Sequence, residues 1–357
     1  MQIWFLTQWL GYSDSRPTPL WRHPEVSLLD WLCQLLMPLL LPLKRVVAEV
    51  CRTGVPTRIV AMREQLVAME LKGHDKLFAD WSASVIELAR SDGTTLLVHL
   101  HRPPAPTAGA AGSTEEASET PLLPLVLWLH GGGYTIGSGR DSVGATYATE
   151  LLALGRPVAW ASVEYRLAPE QPQPAAADDA LLALEYFTAA GAALTSLGID
   201  PRSLHIAGSS AGAGLAAVVA SEAEAHRGMA VRSLLADEPM LDPRCASTSY
   251  LHNGATTIAP VEWLRWSWSV YAPGVAAAVP AVSAKSAPHP PTLVVTASAD
   301  PLRDEGRAYA DAVRAAGYLV KHVEARGSHV LALTLDKGAR REMLAAWSEM
   351  LAWTPPL

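Results

Sequence analysis

From Leu123 to the C-terminus, short apolar runs alternate with longer segments rich in Ala and Leu, and few architectures accept that rhythm. Leu123–Leu129, Val158–Val163, Leu204–Ala207, Ser233–Ala236, Thr292–Thr296 and Leu319–Val323 read as strands. Ala175–Ala190, Ala211–Ala225, Asp304–Ala316 and Gly338–Trp353 read as helices. Apolar runs bounded by turn signals fit strands buried on both faces, and the intervening helices then act as right-handed crossovers. The expected fold class is α/β, a mostly parallel central sheet with helices on both faces. Upstream, Val85–Leu88 and Thr95–Leu100 flank Ser91-Asp92-Gly93, a hairpin signal. No fixed-period repeat is visible.

The corner between Leu204–Ala207 and the helix from Ala211 reads Gly208-Ser209-Ser210-Ala211-Gly212, a G-x-S-x-G pattern in a strand-to-helix setting. A serine held in such a turn exposes its hydroxyl, and the next backbone N–H faces a bound oxyanion. A hydroxyl is a poor nucleophile until a base takes its proton, and the base needs a third group to orient it. When these follow in the order Ser, acid, His, the partners lie after later strands. Asp300 follows Thr292–Thr296 and the Ala297–Ala299 turn, and His329 follows Leu319–Val323. Of the other histidines beyond Ser210, His226 ends a helix, His252 and His289 lie in an insertion, and His322 alternates within a strand. Asp300 before Pro301 also suits a helix cap. Taken together and in order, the three select a Ser210, Asp300 and His329 triad.

His130-Gly131-Gly132-Gly133 follows the strand Leu123–Leu129 and leaves backbone N–H groups bare. Gly131 and Gly132, joined by Ala211, are the expected oxyanion donors. A phosphate cradle is disfavoured, because no Lys-Ser/Thr follows and the G-x-G-x-x-G spacing is absent.

These motifs closely resemble the hormone-sensitive-lipase family of α/β-hydrolases, which includes bacterial esterases and arylacetamide deacetylases. The resemblance runs from about Leu123 to Trp353. It rests on His130-Gly131-Gly132-Gly133-Tyr134, Glu164-Tyr165-Arg166-Leu167-Ala168-Pro169-Glu170, the Gly208–Gly212 elbow, Asp300-Pro301-Leu302-Arg303-Asp304 and Gly327-Ser328-His329. It implies an α/β-hydrolase fold with a helical lid, carboxyl-ester hydrolysis through an acyl-enzyme, and no metal or organic cofactor. It also implies that the Tyr165–Glu170 segment is a buried brace rather than part of the chemistry. The chain departs from the family at Ser209, where an Asp is usual, at Ala213 in place of Gly, and at Val330-Leu331 after the histidine. None of these touches a triad atom.

The remaining features frame the reading. Half the residues are hydrophobic and 18% are charged, as suits a globular chain. A net charge of −7 without a basic stripe excludes a nucleic-acid partner. Cys33, Cys51 and Cys245 are odd in number and lack metal-ligand spacing, so they read as buried thiols in a reducing compartment. Met1–Leu6 lacks a basic start and a cleavage site, so no secretory signal is expected and the location is read as cytoplasmic. Leu28–Leu43 is apolar but carries Asp30, Gln34, Pro38 and Pro42. A lid helix is favoured there over peripheral membrane contact.

The expected organisation is a helical segment over 1–80 that forms part of a lid, then an α/β-hydrolase domain over 81–357. A lid insertion at 245–288 carries Trp263, Trp266, Trp268 and Tyr271 on one helix. Residues 103–121 read as a surface loop. Trp263, Trp266 and Tyr134 are candidate substrate contacts, for a small-molecule ester with a short to medium apolar acyl group. Acyl transfer and amide hydrolysis are compatible with the same triad. A non-catalytic binding protein, like the plant gibberellin receptors that lack the histidine, is disfavoured by His329. A monomer or a homodimer would serve.

Overall fold

A computed structural model describes residues 59–105, 121–226, 229–254, 259–274 and 289–352. The readings of Leu28–Leu43, of Cys33 and Cys51, and of most of the 103–121 loop lie outside these residues.

Eight strands form one sheet in the order β1-β2-β4-β3-β5-β6-β7-β8. They are β1 (Ser82–Ala89), β2 (Thr95–Arg102), β3 (Leu123–Leu129), β4 (Ala159–Val163), β5 (Ile199–Ser209), β6 (Leu234–Asp237), β7 (Thr292–Ala297) and β8 (Val320–Ala325). The β1–β2 and β2–β4 pairs are antiparallel and every pair from β4 to β8 is parallel. The hairpin expected around Ser91-Asp92-Gly93 is the β1–β2 turn, with Ala89 opposite Thr95.

The helices are α1 (Ile59–Leu77), α2 (Ser142–Ala153), α3 (Ala175–Ala189), α4 (Gly191–Ser196), α5 (Ala211–His226), α6 (Thr248–Asn253), α7 (Val261–Tyr271), α8 (Arg303–Ala315), α9 (Ala332–Leu335) and α10 (Lys337–Ala352). Strand periodicity decides which layer each side chain joins. On β3, Leu125, Leu127 and Leu129 point to the layer of α3, α5 and α8. Val126 and Trp128 point to the opposite layer of α2 and α10, where Trp128, Trp160 and Trp347 pack together. Each large apolar side chain buried this way contributes roughly 1.5–3 kcal/mol.

Two local outcomes differ from the sequence reading. Strand β5 starts at Ile199 rather than Leu204, because its register with β3 shifts between Leu123 and Leu125. That shift accommodates Pro201, which lacks the N–H a regular ladder requires. Helix α2 was not anticipated. Its start is set by Asp141, whose carboxylate accepts the Gly144 N–H at 2.7 Å and the Trp128 indole N–H at 2.6 Å.

Candidate active site

The strand-to-helix corner between β5 and α5 places Ser210 at φ 55°, a left-handed conformation that a β-carbon tolerates poorly. Neighbouring backbone holds it there. Its N–H donates to Asp237 O at 2.8 Å, and its carbonyl accepts from Ala213, Gly214 and Met240. Gly212 is required at the corner, because a β-carbon there would lie 2.0 Å from Leu129 O.

The other two residues come from the loops after β7 and β8, which share one edge of the parallel sheet with the corner. Ala299 N–H donates to Gly327 O, and Gly327 N–H donates to Ser298 Oγ, so the two loops are tied together. Asp300 is fully buried, and its Oδ1 accepts the Leu302 N–H at 2.9 Å. Its Oδ2 lies 2.7 Å from His329 Nδ1, and His329 Nε2 lies 3.0 Å from Ser210 Oγ. The geometry suits one tautomer, with Nδ1–H donating to Asp300 and Nε2 accepting from the serine hydroxyl.

The loop after β3 runs beside this relay. A β-carbon on Gly131 would sit 3.4 Å from Ser210 Cβ. Thr135 and Ile136 N–H groups both donate to Gly132 O, closing a tight turn in which Gly132 takes φ 121°. Among the described residues nothing accepts a hydrogen bond from the N–H of Gly131, Gly132 or Ala211. Donors left free beside a nucleophile can receive negative charge developing on a carbonyl oxygen.

Tyr165 and Glu164 hold the loop from behind. The Tyr165 hydroxyl donates to His130 O at 2.7 Å and its ring stacks on the His130 imidazole at 4.1 Å. Glu164 Oε2 accepts from Ser138 Oγ and from Gly139 N–H. Asp179, also buried, accepts from Arg90 Nε at 2.7 Å and from the Arg166 N–H at 2.9 Å. Arg63 of α1 donates to the Thr135 and Ala168 carbonyls and pairs with Glu170, tying the N-terminal helix to the loop.

Trp263 and Trp266 lie together on α7 with ring centres 5.0 Å apart, both buried. A β-carbon on Gly133 would come within 3.1 Å of Trp263 Nε1, so this indole stands next to the glycine loop. Tyr134 is engaged differently. Its hydroxyl donates to Met240 O at 2.9 Å and its ring stacks on Tyr271 at 3.8 Å, so it braces the loop against α7.

Sequence reasoning passed over two acids at the end of β6, Asp237 within the strand and Glu238 directly after it. Glu238 is buried, with Oε2 at 3.2 Å from His329 Nδ1, and accepts the Val330 N–H at 2.6 Å. Asp237 accepts the Tyr147 hydroxyl at 2.7 Å, and burial raises its pKa to about 6. Ser209, where the family usually carries an Asp, lies opposite Asp237 in the β5–β6 register. Burial disfavours charge on His329, yet the nearby Asp300 and Glu238 outweigh it and lift its pKa to about 9. Glu238 is pushed well above the carboxylate range, by burial first and then by the charges of Asp300 and Asp237. Glu238, Asp300 and His329 offer ligand atoms within 4.8 Å of one another, but those atoms already hydrogen-bond each other and the Val330 N–H.

Comparison with known proteins adds an independent line. A family model described as the alpha/beta hydrolase fold matches residues 126–332. The ethyl acetate hydrolase of Pseudomonas putida is 33% identical over 249 residues, spanning 67% of this chain and 71% of that protein. The solved structure of a bacterial heroin esterase superposes with a TM-score of 0.70 at 27% identity, covering 92% of this chain and 99% of that one. The esterase LipW from Mycobacterium marinum gives a TM-score of 0.67 at 28% identity, covering 84% and 90%.

Proposed function

This chain belongs to the α/β-hydrolase fold family, in its hormone-sensitive-lipase-like branch, and is a carboxylic ester hydrolase; from that premise we propose that Ser210, Asp300 and His329 carry its chemistry through an acyl-enzyme. The observation that carries the assignment is the continuous relay from Asp300 through His329 to Ser210, at 2.7 and 3.0 Å.

His329 Nε2 takes the Ser210 proton as Oγ attacks the ester carbonyl. Gly131, Gly132 and Ala211 N–H groups receive the oxyanion, each donor supporting about 10²–10³ in rate. Asp300 keeps the proton on Nδ1 and stabilises the imidazolium, without itself taking the proton. His329 then protonates the departing alcohol. Water, deprotonated by the same nitrogen, releases the acid and regenerates Ser210.

The substrate is a small-molecule ester. A short to medium apolar acyl group is supported by Trp263 beside the glycine loop and Trp266 packed against Trp263. We assign the N-terminal segment and the 245–288 insertion to a lid, supported by the Arg63 anchor and by α7. Among the described residues no helix is long and apolar enough to cross a membrane.

Ser210→Ala tests the assignment. Hydrolysis of p-nitrophenyl acetate and butyrate should fall to background while the melting transition stays at its wild-type temperature. Retained turnover would refute it.

A further inference from the structure

His329 has a second carboxylate on the nitrogen that faces away from the nucleophile. Asp300 Oδ2 lies 2.7 Å from Nδ1, and Glu238 Oε2 lies 3.2 Å from the same atom. The two acids arrive from different strands, Asp300 after β7 and Glu238 after β6. Both are buried. Glu238 is not there by side-chain drift. Its backbone takes φ 49°, its N–H donates to Val295 O at 2.9 Å, and its Oε2 is pinned by the Val330 N–H at 2.6 Å. Val330, the residue after the histidine, itself takes φ 70°. Two unfavourable backbone conformations thus meet in the one contact that brings a second acid to Nδ1.

We propose that Glu238 is a second acid for His329: a positioning residue that stands beside Asp300 at Nδ1 and supplies the imidazolium's counter-charge when Asp300 carries none. The inference rests on the triad reading above and deepens it. No proton moves to either carboxylate. Nδ1–H stays on the ring throughout, and Nε2 alone exchanges its proton with Ser210, alcohol and water.

The surroundings explain why the two acids divide the work. Glu238 faces Asp300 from the β7 loop, Asp237 from its own strand end, and His329 from the β8 loop. Like charges this close do not all ionise together. Asp300 makes the shorter contact with Nδ1, 2.7 Å against 3.2 Å, and the charges of Asp300 and Asp237 work against ionisation of Glu238. Removing Asp300 deletes the main repulsion on Glu238, which then ionises at lower pH and takes over. A cavity of about 200 Å³ is lined by Glu238, Asp237, Ser209, Tyr147, Val330 and Arg340.

The experiment compares Asp300→Ala with Asp300→Ala/Glu238→Gln on p-nitrophenyl butyrate across pH 5–10. Gln keeps an acceptor for the Val330 N–H and removes the charge. A triad deprived of its acid loses about 10⁴-fold in kcat. With Glu238 in reserve, Asp300→Ala should lose less than about 10³-fold, and the double variant at least about tenfold more. The activity of Asp300→Ala should also rise along a pH limb that the double variant lacks. Asp300→Asn, which keeps the acceptor for Leu302 N–H, replaces Asp300→Ala if the latter fails to melt cooperatively. Equal rates and coincident pH profiles in the single and double variants would overturn the proposal. Ser210→Ala stands apart from this result: activity surviving that change refutes the triad itself, whatever the acids do.

Discussion

Gly132 and Gly131 are neighbours in one loop, yet the structure sets very different consequences for a methyl group at each. At Gly132 the backbone has φ 121°, a region that costs a residue with a β-carbon about 1–3 kcal/mol. The added carbon would also lie 2.1 Å from Ile136 O and 2.7 Å from Ile136 C, both backbone atoms that cannot swing aside. The turn must therefore open, and the Thr135 and Ile136 hydrogen bonds to Gly132 O at 3.1 and 3.0 Å go with it. Opening moves the Gly131 and Gly132 N–H groups off the oxyanion position. One lost donor costs about 2.7–4 kcal/mol of transition-state stabilisation, so kcat should fall by at least about 10²-fold. These donors act on charge that exists in the transition state, so KM should change far less.

At Gly131 a β-carbon would meet Ser209 O at 3.2 Å and Ser210 Cβ at 3.4 Å, which a shift of a few tenths of an ångström relieves. A displacement of about 1 Å costs about 10²-fold, so Gly131→Ala should lose roughly tenfold in kcat. Steady-state kinetics on p-nitrophenyl butyrate, with melting followed by circular dichroism, separates the two. Gly132→Ala should also melt earlier, by the equivalent of about 1–3 kcal/mol. A Gly132→Ala enzyme within tenfold of wild-type kcat, or one less impaired than Gly131→Ala, would refute the assignment of this loop.

Two further outcomes follow from buried charges. His329 must be neutral to accept the serine proton, and its neighbours raise its pKa to about 9. For a base the protonated form is inactive, so kcat/KM should fall about tenfold per unit as pH drops below that value. An acid limb at or below the ordinary histidine value of about 6.5 would contradict the reading. Asp179→Ala should cost about 3–5 kcal/mol in urea denaturation, because it leaves Arg90 and Arg166 without their buried partner. A loss under about 1 kcal/mol would show that the braced segment does not depend on it.

Much of the site was legible because each motif sits on its own strand end. Gly208–Gly212, Asp300 and His329 each follow a short apolar run, and parallel pairing from β4 to β8 brings those ends to one edge. Glu238 obeys the same rule, directly after β6, and could have been found by applying it to every strand. It was passed over because Asp300 already satisfied the order of the motif, and spacing cannot rank two acids that reach one imidazole. Tyr134 was read as a substrate contact from its place beside the glycines. Whether its ring would face a ligand or stack on Tyr271, 137 positions later, is not a local property.

The amino-acid sequence alone determined the α/β architecture, the serine corner and the bare glycine loop. These depend on short continuous apolar runs and on residues within a few positions of one another, where local sterics decide. Tertiary structure alone decided which acids meet His329, how Arg63 fastens α1 to the glycine loop, and which way each aromatic ring turns. Those contacts join atoms far apart in the chain, from 29 positions between His329 and Asp300 to 137 between Tyr134 and Tyr271. Strand order and register set such distances, so they exist once the sheet has closed around them and not before.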